Sequence, residues 1–277
     1  MSIDNFIPEV WSTRLNQKLY DSLVFASCCN TDYEGEIRGA GDTVRINQVG
    51  DVTINSAYTP NSTSITPEAL TDYQTTLLID QTPYFAFYVD DVDKAQANAN
   101  VMDGAMQSAA WGLRNHADEY IAALYGDAGY TLTSTAIDST NVFALMATMG
   151  QKLTENNVPD EGRWAVIPPW IATKLALAKV LVTDAGAAAG AFTNGFQGRC
   201  AGFDVYVSNN VYTSSSTYYP MFGHRKAISF AGQITKTEAF RPEAKFADAV
   251  KGLFVYGAKV VYPNALVVAT TTVGSEP

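Results

Sequence analysis

The sequence predicts an α+β chain organised around one long helix. Three observations carry that reading. An uninterrupted amphipathic stripe runs from Asp90 to Gly126, runs of period-two alternation flank it on both sides, and helical and strand patterns alternate between residues 141 and 232. Periods of about 3.6 and 2 are the signatures of a helix and a strand that each bury one face.

Residues 1–30 read as an arm ending in a helix. Ile7-Pro8-Glu9 opens it, with proline tolerated in a first turn, and Trp11, Leu15, Leu19, Leu23 and Ala26 mark one face. A tryptophan so near a terminus needs a docking surface. Residues 31–89 switch to period two. Thr43–Asn47, Val52–Ile54 and Tyr73–Ile79 alternate, and Gly39, Gly41 and Gly50-Asp51 are turn signals. The stretch 58–67 between them is polar and rich in chain breakers. This is a two-stranded excursion with little core of its own, and an isolated hairpin is marginal in water. A third strand, Tyr84–Val89, feeds the long helix.

Asp90, Asp91 and Asp93 open that helix, where carboxylates suit the positive end of the dipole and cap free N–H groups. Apolar or small residues then recur at Val92, Ala95, Ala99, Met102, Met106, Ala109, Leu113, Ala117, Tyr120 and Leu124. Gly126 sits where a C-terminal cap belongs. At about 1.5 Å per residue the helix would span roughly 50 Å. Gly104 and Gly112 each cost about 1 kcal/mol against alanine, which makes sense if a neighbour packs closely there. The stripe by itself reports burial, not purpose.

Beyond Gly126 a Thr/Ser/Asp stretch to Thr140 reads as a hinge. Residues 141–157 read as a helix with Val142, Leu145, Met149 and Leu153 on one face. Pro159–Gly162 is a turn, Trp164–Ile167 a short strand stopped by Pro168-Pro169, and Trp170 to Leu181 a second helix. The Ala/Gly-rich residues 183–200 read as a mobile loop. Phe203–Ser208 and Ala227–Phe230 alternate as strands. Gln233–Arg241, Phe246–Gly257 and Ala258–Pro263 make a strand-rich end.

Hydrophobic residues are 47% of the 277, ample for a core, but charged residues are only 17%. That is below the usual quarter, so much of the surface is expected to meet other protein. The net charge of −10 is opposite to that of a free nucleic-acid binder. Cys28, Cys29 and Cys200 are an odd number with two adjacent, a poor disulfide framework that fits a reducing compartment. No apolar run reaches membrane length, and the N-terminal MSIDNFIPEV lacks a signal pattern. These features predict a soluble chain made in the cytoplasm.

No residue is assigned a catalytic, cofactor-binding or metal-ligating role. His116 and His224 lack partners at metal-ligand spacing and read best as hydrogen-bonded structural histidines. Gly39-Ala40-Gly41-Asp42 lacks the third glycine and receiving helix of a phosphate loop and reads as a turn. Asp90, Asp91 and Asp93 lack the later glycine and glutamate of a calcium loop. Cys28-Cys29 fits a buried helix face better than a strained redox ring. The tyrosines are not interleaved with basic residues as a stacking groove requires.

The order of parts and several strings resemble the major capsid proteins of tailed bacteriophages, the Hong Kong 97 type of fold. The strings are Ile7-Pro8-Glu9-Val10-Trp11; Asn30 to Ile37 with Gly41-Asp42-Thr43-Val44; Phe85 to Ala95; Val158-Pro159 with Gly162-Arg163 and Pro168-Pro169; and Val250-Lys251-Gly252-Leu253 with Tyr256 to Val260. The resemblance implies an N-terminal arm at 1–32 and an E-loop at 33–80, the hairpin that lies across a neighbouring subunit. It implies a peripheral domain at 81–140 with the spine helix 90–126, an axial domain at 141–232, and returning peripheral strands at 233–277. It implies a protein that is not an enzyme, needs no cofactor, and builds an icosahedral head shell around double-stranded DNA. Its partners would be its own copies, as hexamers and pentamers through arm, E-loop and axial domain, together with a portal and a separate scaffolding protein or none. Decoration proteins are left open, no membrane is involved, and the place is the virion capsid, assembled in the host bacterial cytoplasm. Some relatives crosslink an E-loop lysine to another subunit. Residues 31–80 hold Arg38 and Arg45 but no lysine, so no such crosslink is expected. A second reading is an encapsulin-like compartment shell that loads cargo enzymes. A third is a cytoplasmic α+β enzyme using carboxylates alone, and a fourth is a tail or decoration protein, which a long helix between two β regions suits poorly.

Overall fold

The computed structural model describes residues 24–32, 41, 43–49, 53–54, 68–69, 72–90, 101–178, 196–241 and 247–275. The chain opens with α1 (Phe25–Cys28) and an antiparallel ribbon of β1 (Thr43–Val49) and β2 (Asp72–Leu78), then β3 (Tyr84–Asp90). The long helix α2 (Val101–Ala122) ends in a 3-10 turn, Ala123–Asp127. A lobe follows: β4 (Tyr130–Ile137), α3 (Val142–Glu155), β5 (Arg163–Ile167), α4 (Pro169–Leu177), β6 (Phe196–Cys200), β7 (Phe203–Val207), the small hairpin β8 (Thr213–Ser214) and β9 (Thr217–Tyr218), and β10 (Met221–His224). Two long strands, β11 (Ile228–Phe240) and β12 (Ala247–Val260), and then β13 (Leu266–Val273) complete it.

Two larger sheets organise these elements. The lobe's sheet runs β6-β7-β5-β10-β13-β9-β8, with β4 parallel to β13. Its core packs α3 and α4 through Val142, Met146, Met149, Leu153, Ile171 and Leu175 on Ala165, Ile167, Phe203, Phe222 and Val267. The second sheet is antiparallel, in the order β11-β12-β3. Side chains alternate along its strands, so Val250, Phe254, Tyr256 and Ala258 of β12 face one way and Ala249, Lys251, Leu253 and Val255 the other. The first face is covered. Met106 and Ala110 of α2 pack on Val250, Phe85 and Phe87, and Leu113, Ala117 and Ile121 join Phe230, Phe254 and Tyr256. On the other face the root of the ribbon lies over Val255, Ala231 and Val261 through Val44, Ile46, Leu77 and Ile79.

That last contact changes the expectation for the hairpin. Its root has a surface to lie on within the same chain, and β12 admits it through a glycine. A Cβ built at Gly257 would lie 2.2 Å from the carbonyl oxygen of Leu78. Backbone exchange between Gln81 and Tyr256 fixes the exit, with N···O distances of 3.1 and 3.0 Å. The turn at Gly41, with φ 89°, donates its N–H to Ile79.

Other expectations need correction. Asp90 is the last residue of β3, where it pairs with Ala247, so it does not open the helix. Asp91, Asp93 and the stripe positions Val92, Ala95 and Ala99 lie outside the described residues. The stripe from Met106 onward is present, with Ala110 more deeply buried than Ala109. Gly126 lies inside the 3-10 turn and not at an αL cap, since Ala128 follows the turn in an extended conformation. Among the described residues nothing lies within 4 Å of the Cβ positions of Gly104 or Gly112. The supposed hinge at 127–140 is mostly β4: threonines at alternate positions suit a pleated surface, and six residues pair with β13. Helix α4 stops at Leu177, short of Leu181, and the expected loop at 183–200 ends in a strand, Phe196–Cys200. Ala227–Phe230 and Gln233–Arg241 are one strand through Gly232, and Phe246–Gly257 and Ala258–Pro263 are also one. Strand β13 escapes the sequence reading altogether because its Leu266–Ala269 run is wholly buried and shows no alternation.

Candidate functional site

Candidate chemical residues turn out to be tied into the fold. His116 Nδ1 lies 2.6 Å from the Tyr256 hydroxyl, which also donates to the His116 carbonyl oxygen at 3.2 Å. His224 Nδ1 accepts the Lys226 backbone N–H at 3.2 Å, and burial lowers its pKa. Cys28 and Cys29 are free thiols on the buried side of α1. Burial pushes Cys28 up to about 12 and Cys29 well above its ordinary value, so neither is a thiolate at neutral pH. Cys200 is free and buried too. Among the described residues no three His, Cys, Asp or Glu side chains are grouped to hold a metal. No described helix is long and apolar enough to cross a membrane.

The distinctive geometry is on the surface. On the second face of the β11-β12-β3 sheet, aromatic side chains are exposed beyond the ribbon root. Tyr84, Tyr88 and Phe240 are 78%, 53% and 42% exposed there. Tyr88, Ala249 and Phe240 stand in one cross-strand row, as do Ala86, Lys251 and Glu238. Lys251 Nζ sits 2.9 Å from Glu238 and 5.3 Å from the centre of the Phe240 ring. The result is an aromatic shelf with one internal ion pair. The ribbon presents exposed Leu78 on its outer side and exposed Tyr73 on the side that carries Leu77, away from the root, and Trp111 projects from α2. Beside Trp111 a groove of about 600 Å³ runs between α2 and the segment 207–213. Sequence reasoning missed the shelf, although the alternation Tyr84-Ala86-Tyr88 against Phe85-Phe87 was its signal: both faces of β3 are aromatic, and only one can meet the body of the chain.

The sequence profile of the family described as phage capsid protein matches residues 72–269. The chain belongs to the phage capsid protein family. A solved structure from Mycobacterium phage Che8 is 31% identical, over 97% of this chain and 98% of that one, with a TM-score of 0.71. The capsid structure of cyanophage P-SCSP1u is 17% identical, over 92% and 89%, with a TM-score of 0.69. A virus-like particle from Pyrococcus furiosus shares the fold at 11% identity, with a TM-score of 0.60 over 95% and 98% of the two chains. No curated protein matches the sequence. The capsid protein thus has the Hong Kong 97 type of fold, and it is a major capsid protein that forms the head shell of the virion.

Proposed function

We propose that the capsid protein is completed by its own copies, arranged as hexamers and pentamers of an icosahedral shell around double-stranded DNA. In this reading residues 1–32 are the arm, 33–80 the E-loop that crosses a neighbour, 81–140 with 233–277 the peripheral domain, and 141–232 the axial domain that meets its copies at fivefold and sixfold positions. The observation that supports it most is the shelf of Tyr84, Tyr88 and Phe240. Exposed aromatic area of that kind marks an interaction surface. A neighbour's ribbon, with exposed Tyr73 on one face and exposed Leu78 on the other, offers apolar area of the same kind.

The mechanism is association, with no turnover. A separate scaffolding protein and a portal are the further partners, and assembly takes place in the host bacterial cytoplasm. The net charge of −10 keeps the shell from gripping the genome, because the phosphate backbone is repelled. With no lysine between residues 31 and 80, subunits are not joined covalently through a lysine of that loop.

Expression of the full chain, alone and with candidate scaffolding protein, followed by size-exclusion chromatography and negative-stain microscopy, tests the proposal. Hollow particles are the expected result. A chain that stays monomeric under every condition would overturn it, and copurifying enzyme cargo would move the reading to a compartment shell.

A further inference from the structure

We infer that Asp118 is a latch that holds Val24–Cys29 on the body of the subunit, and that its protonation state sets how firmly. Asp118 sits on α2 with no exposed surface. Its two carboxylate oxygens accept the backbone N–H groups of Val24 and Phe25, each at 3.1 Å. These are the free N–H groups at the start of α1, capped by a residue 93 or 94 positions away in sequence. After α1 the chain is stitched to β11: Asn30 donates to Ile228 at 2.8 Å and accepts from Phe230 at 2.9 Å. So α1 is pinned at both ends, and among the described residues only the first pin carries a titratable group.

Among the described residues the groups facing Asp118 are few. Arg114 lies one turn earlier on α2, with a buried Nε that has no hydrogen-bond partner. The Cys28 and Cys29 thiols face it from α1, and the Tyr256 phenol from β12. Burial outweighs the N–H bonds and Arg114, and pushes the carboxyl up to about 6. Opening the latch returns it to water and to the ordinary carboxylate range. The closed state therefore keeps its proton where the open state has lost it. The hold is strongest below the ordinary range and weakens as pH rises through about 6. Val24 and Arg114 both line the groove beside α2, which gives water a route in. The bearing on assembly rests on reading 1–32 as an arm; the hold itself does not.

Hydrogen exchange on unassembled full-length subunits, corrected for intrinsic rates, reads the latch directly. Protection of the Val24–Cys29 amides is expected to fall about tenfold between pH 5 and pH 8, and Asp118→Asn should flatten that profile. Arg114→Gln keeps every acceptor and removes the neighbouring cation, so it should move the midpoint to higher pH. Identical profiles in wild type and Asp118→Asn would overturn the latch, and should that variant not fold, so would an unmoved midpoint in Arg114→Gln.

Discussion

The two faces of the β11-β12-β3 sheet are made by the same strands and end differently. One carries Val250, Phe254 and Tyr256 beneath α2 and is closed by the chain's own residues. The other is closed over Leu253 and Val255 by the ribbon root, and leaves Tyr84, Tyr88 and Phe240 exposed. The alternation of a strand specifies both faces equally well. It does not say who covers them. What separates the faces is the source of the cover: the next described helix after β3 in the chain for the first, and in the proposed reading a sister subunit for the exposed aromatics of the second. Stability of the free subunit and capacity to assemble should therefore be separable by mutation, face by face.

The largest effect is expected on the closed face. Phe254 has no exposed surface and packs 5.1 Å from Tyr256, ring centre to ring centre. Phe254→Ala should cost about 3–5 kcal/mol, seen in urea unfolding of the unassembled subunit. A loss below about 1 kcal/mol would mean that this face is not the subunit's own core.

An intermediate effect is expected where the second face is covered. At Gly257 an added methyl meets the Leu78 carbonyl, a backbone atom that cannot swing aside. Gly257→Ala should destabilise the free subunit by about 1–3 kcal/mol, as overpacking does, and should raise hydrogen exchange across Thr43–Leu78 more than across the lobe. Uniform exchange in the variant would show that the ribbon root is not seated on β12.

These contrasts also explain what was legible in advance. Val142, Leu145, Met149 and Leu153 announce α3 because a lone amphipathic helix writes its burial in steps of three and four. The ribbon's two strands were visible in Thr43–Asn47 and Tyr73–Ile79 for the corresponding reason. Strand β13 was not, because burial on both faces erases alternation, and β4 was hidden by threonines that read equally well as loop. The start of the long helix failed at Asp90, where a carboxylate that suits a helix N-terminus in fact ends a strand held by β12. Asp118 could not have been found by spacing: its partners, Val24 and Phe25, are brought to it only by the packing of α1 on α2. The surface role was legible in one bulk number, the 17% charged fraction, but not its location.

The smallest effect on stability is expected at the exposed aromatics, and it is the one that separates the two faces most sharply. Tyr84, Tyr88 and Phe240 already meet water, so replacing all three by serine removes little buried area from the free subunit. The Lys251–Glu238 pair beneath them is partly exposed and contributes at most about 1 kcal/mol. Thermal unfolding of the triple variant should stay within about 1 kcal/mol of wild type, while particle yield by negative stain falls below detection. The covered face predicts the reverse pairing for a mild variant such as Val250→Ala: lower stability, with particles still forming when the subunit is kept cool enough to remain folded. A triple variant that assembles normally would show that the shelf faces solvent in the shell, and the search for the neighbour's footprint would then move to Trp111 and the groove beside α2.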